Sequence, residues 1–490
     1  MKYKSLIKYL VLFLLIYFPI FGHMESLPIR MWDESRLAIN AYEMHNDGDF
    51  IVTHFDGQPD MWNTKPPLMI WLQVLFMKIF GVSELAVRLP SAIAAFFTCL
   101  FILFISIRYL KDFWFGFIAV IILVTSVGYM NVHAVRTGDY DALLTFFTTL
   151  YSLSFFIYLE TDNKKYLYYT FLAIILAALT KGIAGMLFIP VLLVYSIVQR
   201  KAVEMIKRKD IYIGIALFIF FVIGYYLLRE YYCPGFLKAV RENELSGRYL
   251  KTIEEHKQGF WFYYQMLVNY HLLFWYLLVP CGALVGFFHK KRLYRKLAWY
   301  STALIVFYFL VISIGQTKLE WYTVPLYPFL AIIIAMFVHL IFITIKDFKA
   351  FSNNLKFNIL PYIFLFIICI NPYSEITNRT FTPKVFSWEE ELYRIDYYLK
   401  DAIDGKYNLN GYTLLQNDYG AHNQFYINIL RDKGVNINYR YDWKNINVND
   451  IIIAHQQEVK VYINQKYSVE LIYNYYNIFI YKINGKLSND

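Results

Sequence analysis

Charge is scarce in this chain. Of its 490 residues 17% are charged and 58% are hydrophobic, and the mean hydropathy is +0.38. Soluble globular domains carry about a quarter charged residues, so a water-soluble body is excluded for most of the length. Cysteine is scarce too. Cys99, Cys281 and Cys369 fall inside apolar runs and Cys233 stands apart, which excludes a disulfide framework. No pair of histidines has the HExxH spacing of a zinc site. GIAGMLF lies in an apolar run and lacks the phosphate-loop pattern, so no nucleotide site is predicted. Internal repeats and low-complexity segments are absent. The net charge of +10 needs no nucleic-acid partner, because Lys and Arg gather in short loops between apolar runs. The first apolar stretch, KYKSLIKYLVLFLLIYFPIFG, has no small-residue cleavage site after it and reads as an uncleaved span.

What is present is a series of apolar runs long enough to cross a bilayer. Eleven spans are predicted, at about 6–22, 85–107, 113–131, 141–159, 166–180, 183–199, 211–229, 266–288, 297–314, 322–345 and 357–371. Pro66–Phe80 is apolar but short, and Gly81 stops it, so it reads as an interfacial or re-entrant helix. Lys2, Lys4 and Lys8 place the N-terminus in the cytoplasm. The connections at 199–210 and 289–296 are strongly basic and fall on that same side. The opposite side then receives the loop 23–82, the short stretches 135–141, 180–182 and 315–321, the loop 230–265, and everything after 371. Residues 372–490 change character. After the loop NPYSEITNRTFTPKVF comes an amphipathic helix, then short β-rich runs around the helically spaced HNQFYINILRDKG. The expected fold is an α-helical polytopic membrane domain, 1–371, followed by a small soluble α/β domain, 372–490.

The polar residues on that outer side are the candidates for chemistry. Asp33 and Glu34 lie about ten residues beyond the first span, in MWDESR. A carboxylate there can take a proton from a hydroxyl or hold a divalent cation; it can also be a plain helix cap. Arg36 is close enough in sequence to orient Asp33 or to bind an anion. Lys65, before Pro66 and Pro67, sits at headgroup level, where a phosphate and ordinary snorkelling are both open to it. In RTGDYD, Asp139 and Asp141 are two apart and cannot share a helical face, so one is expected to point to the site and the other to water. Lys181 lies in TKG. Lys318, Glu320, Tyr322 and Tyr327 lie in TKLEWYTVPLY. Arg36, Lys65, Lys181 and Lys318 make four cations on one face, suited to a phosphate and to a phosphate leaving group. Arg248 and His256, with Glu242 and Glu244, are weaker candidates in the 230–265 loop. The middle of the loop, with His45, Asp49 and His54, reads as interfacial helix and linker that returns Lys65 toward Asp33.

Several of these stretches, in order, resemble a known family. MWDESR, AINAYEMHNDGDFIVTHFDG, WNTKPPLMIWLQVLFMKIFGVSELAVRLPSA, RTGDYDALLTFFTTL, ALTKGIAG and TKLEWYTVPLYPFLAI are similar to motifs of the lipid-linked-sugar glycosyltransferases of the dolichyl-phosphate-mannose protein mannosyltransferase superfamily. The 4-amino-4-deoxy-L-arabinose lipid A transferase branch is the nearest. The resemblance spans roughly 5–345. It implies a GT-C fold, an external first loop with interfacial helices, and transfer of a sugar from a polyprenyl-phosphate carrier outside the cytoplasm. It maps the acidic residue of the first loop to Asp33 and the second acidic position to Asp141. Arg36 and Lys65 map to carrier-phosphate positions, and Lys181 and Lys318 fall in family motifs. The branch often has a metal-binding Glu just before the Lys of its KP motif; here that position is Thr64, so no cofactor is assigned and a divalent cation stays open. The implied partners are the bilayer, a polyprenyl-phosphate-linked sugar and an acceptor that is lipid A, another envelope glycan or a protein. The implied place is the bacterial inner membrane, with the site and the C-terminal domain periplasmic. The competing class is a transporter or flippase of lipid-linked sugars, for which midplane polar groups or broken helices are expected.

Overall fold

Long apolar helices set the architecture, since backbone groups in a bilayer must be satisfied within their own segment. The computed structural model describes residues 2–247, 257–348, 358–382 and 387–487. Among the described residues, seven helices are long and apolar enough to cross a membrane: Glu84–Leu110, Tyr140–Thr161, Lys164–Met186, Lys209–Tyr232, Arg292–Ile314, Glu320–Asp347 and Leu360–Phe381. Five apolar helices are shorter: Leu6–Phe21, Leu68–Phe80, Phe113–Val124, Ile189–Val198 and Leu278–Phe287. The helix Tyr140–Thr161 is buried nearly throughout and forms the centre of the bundle, against Lys164–Lys181 and Glu84–Ile105.

The polar connections sort to two ends. At one end Asp112 accepts from Tyr294 Oη (3.1 Å), Lys296 pairs with Glu160 (2.6 Å) and Arg208 with Asp162 (2.7 Å). These contacts tie the connections at 108–112, 160–165, 199–210 and 289–296 together. At the other end Arg229 donates to the Ile51 carbonyl (3.1 Å) and to Thr53 Oγ1 (3.1 Å), so the helix Lys209–Tyr232 ends against the opening loop.

The C-terminal domain carries a mixed five-stranded sheet, in the order Asn438–Arg440, Tyr412–Leu415, Ile451–Ala454, Ile478–Lys486, Tyr467–Tyr475. The first two pairings are parallel and the last two antiparallel. The β-rich runs read from sequence are these strands, and HNQFYINILRDKG supplies the helix Ala421–Asp432. Its core does not stop at the domain. Leu414, Phe425 and Ile453 belong to one apolar cluster with Ile39 and Ala41 of the opening loop and Ile70 and Val74 of the helix Leu68–Phe80.

Several segments differ from expectation: of the eleven expected spans, 113–131 and 183–199 carry only the short helices Phe113–Val124 and Ile189–Val198, and three further stretches depart as follows. NPYSEITNRTF is not loop: the helix Leu360–Phe381 runs through it, carried past Pro372 by the Arg379–Glu375 pair and by Tyr373 Oη donating to the Leu15 carbonyl (3.2 Å). The stretch 266–288 is broken between His271 and Leu278, where the His271 carbonyl turns to accept from Gly128 N–H (3.2 Å). Gln457–Lys466 is a helix that no sequence pattern announced, because Val459 and Ile463 give it only one buried i,i+4 pair.

Candidate active site

The opening loop delivers Asp33 as the first residue of the helix Asp33–Asp47; Trp32, at φ 69° and ψ −114°, takes the cap position in its place. Asp33 is therefore free of the capping role, and its side chain remains 45% exposed. The next residue does the opposite. Glu34 is buried and accepts from Arg88 Nε (2.7 Å), Arg88 Nη2 (3.0 Å), Arg30 N–H (2.7 Å) and Gly138 N–H (2.8 Å). With both oxygens filled, Glu34 is an anchor between three segments and not the substrate contact expected of it.

Arg36 does not meet Asp33. It forms a two-pronged pair with Asp60 (Nε 2.8 Å, Nη2 2.7 Å). Asp60 also accepts from Asn40 Nδ2 (3.0 Å), Trp62 N–H (2.9 Å) and Asn63 N–H (3.0 Å). Burial pushes the Asp60 carboxyl up, but the Arg36 hydrogen bonds and charge, with Asn63 and Asn40, outweigh it and hold the group below its ordinary value. This fold of 60–63 carries Lys65 back to the helix start. Lys65 lies 3.4 Å from Glu244, and Thr64 Oγ1 donates to the same Glu244 oxygen (3.2 Å).

The expectation that one of Asp139 and Asp141 faces water is overturned: both are buried. The helix begins at Tyr140, so Asp139 stands outside it on extended backbone (φ −113°, ψ 170°) and the helical-face argument does not apply to it. Asp141 receives Lys181 Nζ on both oxygens, at 2.7 and 2.6 Å. Asp139 Oδ2 lies 2.7 Å from His133 Nδ1, and Asp33 Oδ2 is 3.7 Å from that same nitrogen. The His133 ring stacks on Trp321 at 3.7 Å. Burial alone would lower the His133 pKa; the hydrogen bond and charge of Asp139, with the charge of Asp33, raise it above the usual value. Asp139 shows the converse: burial raises it, and His133 and the charge of Lys181 bring it below the usual range. His133, Asp60, Asn63 and Trp321 were missed as site residues. The one available signal is that His133 lies two residues before the outer stretch 135–141.

A narrow polar cleft is lined by Asp33, Arg36, Asn63, Lys65, Lys181 and Trp321, among others. Beside it lies an apolar cavity of about 460 Å³, lined by Leu144, Ala184, Leu187, Tyr308 and Tyr322, with Lys65, Asp141 and Lys181 at its polar end. Lys65 and Lys181 belong to both. The fold thus brings Asp33, Arg36, Lys65, Asp139, Lys181, Asp141 and Tyr322 to one place. Lys318 lines neither cavity itself; its ammonium donates to the carbonyl of Gly315 (2.6 Å), a residue of the apolar cavity's wall, and burial lowers its pKa. Glu320 sits 3.9 Å from His271. Tyr327 is buried in the core, its hydroxyl 3.3 Å from Thr323 Oγ1. Arg248 and His256 lie outside the described residues. Asp33, His133 and Asp139 bring ligand atoms within 4.8 Å of one another, an oxygen–nitrogen–oxygen set that could hold a divalent cation once the His133–Asp139 hydrogen bond gives way.

Residues 64–226 match the family described as dolichyl-phosphate-mannose-protein mannosyltransferase. The chain is 28% identical over 360 residues to an undecaprenyl phosphate-alpha-4-amino-4-deoxy-L-arabinose arabinosyl transferase of Edwardsiella ictaluri, covering 71% of this chain and 62% of that one. It is also 28% identical over 343 residues to an uncharacterized protein of Aquifex aeolicus, covering 69% and 64%. The chain thus spans just under two thirds of the length of these relatives. The crystal structure of ArnT from Cupriavidus metallidurans bound to undecaprenyl phosphate superimposes with a TM-score of 0.70 at 15% identity, over 97% of both chains. That likeness establishes a common fold.

Proposed function

We propose, from the premise that this chain belongs to the GT-C superfamily of membrane glycosyltransferases, that it moves a sugar from a polyprenyl-phosphate carrier to an acceptor. The observation that carries the reading is the join of the two cavities. An apolar chamber suited to an isoprenoid tail ends at Lys65 and Lys181, and these two cations also line the cleft that holds the half-exposed Asp33. A lipid phosphate seated there has its sugar next to a carboxylate.

In this mechanism Asp33 accepts the proton of the acceptor hydroxyl. The acceptor oxygen forms a bond to the anomeric carbon as the bond from that carbon to the phosphate oxygen breaks, with inversion. Lys65, with Arg36 nearby, carries the negative charge of the departing lipid phosphate. Asp141 holds Lys181 at the shared rim. His133 and Asp139 stand behind Asp33. A divalent cation held by Asp33, His133 and Asp139 would add charge stabilisation at the cleft when bound. The relatives' names support undecaprenyl phosphate as the carrier; the acceptor in this reading is lipid A, another envelope glycan or a protein. The basic connections at the end away from the cleft support an inner-membrane protein whose cleft and C-terminal domain, 372–490, face the periplasm.

The test is release of free polyprenyl phosphate from a labelled lipid-linked sugar by the purified full-length protein. Turnover is expected, and Asp33→Asn is expected to abolish it with the protein still folded and inserted. Full activity of that variant would sink the assignment, and movement of intact lipid without release would favour a flippase.

A further inference from the structure

Four consecutive residues lead into Asp33, and each is held by a side chain from the C-terminal domain. Ile29 N–H donates to Tyr426 Oη (2.8 Å). Arg30 Nη1 donates to Glu389 Oε1 (3.1 Å). Met31 N–H donates to Tyr393 Oη (2.9 Å). Tyr419 Oη donates to the Trp32 carbonyl (3.2 Å), and its ring stacks on the Trp32 indole at 4.7 Å with 8° between planes. Tyr426 extends the network by donating to Glu84 Oε1 (2.9 Å). The Arg30 guanidinium also lies over the Tyr393 ring, 5.1 Å from its centroid.

The segment needs such holding. Trp32 stands at φ 69° and ψ −114°, where a bulky side chain is a genuine outlier. Such a conformation is strained and persists only where its surroundings over-determine it. Here most of the surroundings come from a chain segment more than 350 residues away, as the separations of 359 to 397 show. Tyr393, Tyr419 and Tyr426 do not line the cleft.

We infer that the C-terminal domain is a positioning element for Asp33, acting through Tyr393, Tyr419 and Tyr426 on residues 29–32. The inference rests on the reading of Asp33 as the proton acceptor. A base must be held close to its productive geometry, and a misplacement of about 1 Å from remote changes can cost on the order of 100-fold in rate. Lys65 and Lys181 stand on other elements and the Arg36 side chain is fixed by Asp60, so loss of the tyrosine hydroxyls leaves the carrier-binding rim in place.

The experiment compares wild type, Asp33→Asn, Tyr419→Phe and the double variant Tyr393→Phe/Tyr419→Phe, all as full-length protein in detergent or vesicles. The double variant is expected to lose about 10- to 100-fold in kcat, with KM for the lipid-linked sugar within about twofold of wild type and the thermal midpoint lowered by no more than a few degrees. Tyr419→Phe alone is expected to show the same split to a smaller degree, and it decides the matter should the double variant fail to fold. Wild-type kcat in the folded variants overturns the inference. A parallel fall of kcat, donor affinity and thermal midpoint overturns it too, since that marks general destabilisation. An active Asp33→Asn instead removes the premise; an inactive Asp33→Asn beside fully active tyrosine variants removes only the positioning role.

Discussion

Asp60 is the residue that ties the opening loop into one piece, through Arg36, Asn40 and the backbone of Trp62 and Asn63. Its carboxyl is held below the ordinary range in the folded protein. A group with a depressed folded pKa adds stability that is present above its unfolded value, about 3.9, and is lost as pH falls through the folded value. Asp60→Asn is therefore expected to lower the thermal midpoint at pH 7. The gap to wild type should close as pH drops below about 4, as melting curves across pH 3–7 would show. A gap that is constant with pH would assign the loss to packing and not to charge.

At the scale of elements, the decisive contact is between the stretch 135–141 and the helix Glu84–Ile105. Gly138 donates to Glu34 and its carbonyl accepts from Gln73 Nε2 (3.0 Å). A Cβ at Gly138 would overlap the side chain and carbonyl of Val87 and press on Gln73. Overpacking of that kind costs about 1–3 kcal/mol, and backbone cannot yield as a side-chain tip can. Gly138→Ala is expected to move Asp139 and the start of Tyr140–Thr161, reducing kcat at least about tenfold with a drop of a few degrees in melting temperature. Side-by-side assay of rate and melting checks this. The sequence showed RTGDYD as a polar stretch at the head of a span, but not the close approach, because a glycine's neighbours belong to another helix.

For the whole molecule, the telling feature is an apolar chamber that opens onto a charged rim. Ala184 lines the chamber. On the proposed reading, Ala184→Phe is expected to raise KM for a full-length polyprenyl-phosphate sugar about tenfold, the equivalent of ~1.4 kcal/mol or roughly 55 Å² of apolar contact denied to the tail. A donor carrying a two-isoprene tail should be affected far less, because it does not fill the chamber. Equal effects on both donors, measured as KM under the same detergent conditions, would place the tail elsewhere.

By itself the sequence determined the class of molecule. Apolar length, sparse charge and basic connections follow from the solvent each segment meets, and that solvent is written locally. The strands of the C-terminal domain were legible for the same reason, as short β-rich runs between polar stretches. The cluster of Asp33, Lys65, Asp141 and Lys181 was legible as candidates, since charges at span ends are costly and stand out. Partnership was not legible. Only the tertiary structure decided that Arg36 belongs to Asp60, that Glu34 is consumed by Arg88, that Lys318 turns back on Gly315, and that Asp139 and Asp141 are both buried against His133 and Lys181. It also decided that tyrosines near the chain's end hold the residues before Asp33. Pairing between charges depends on which helices lie side by side, and that is fixed by packing over hundreds of residues and not by the spacing of any one motif.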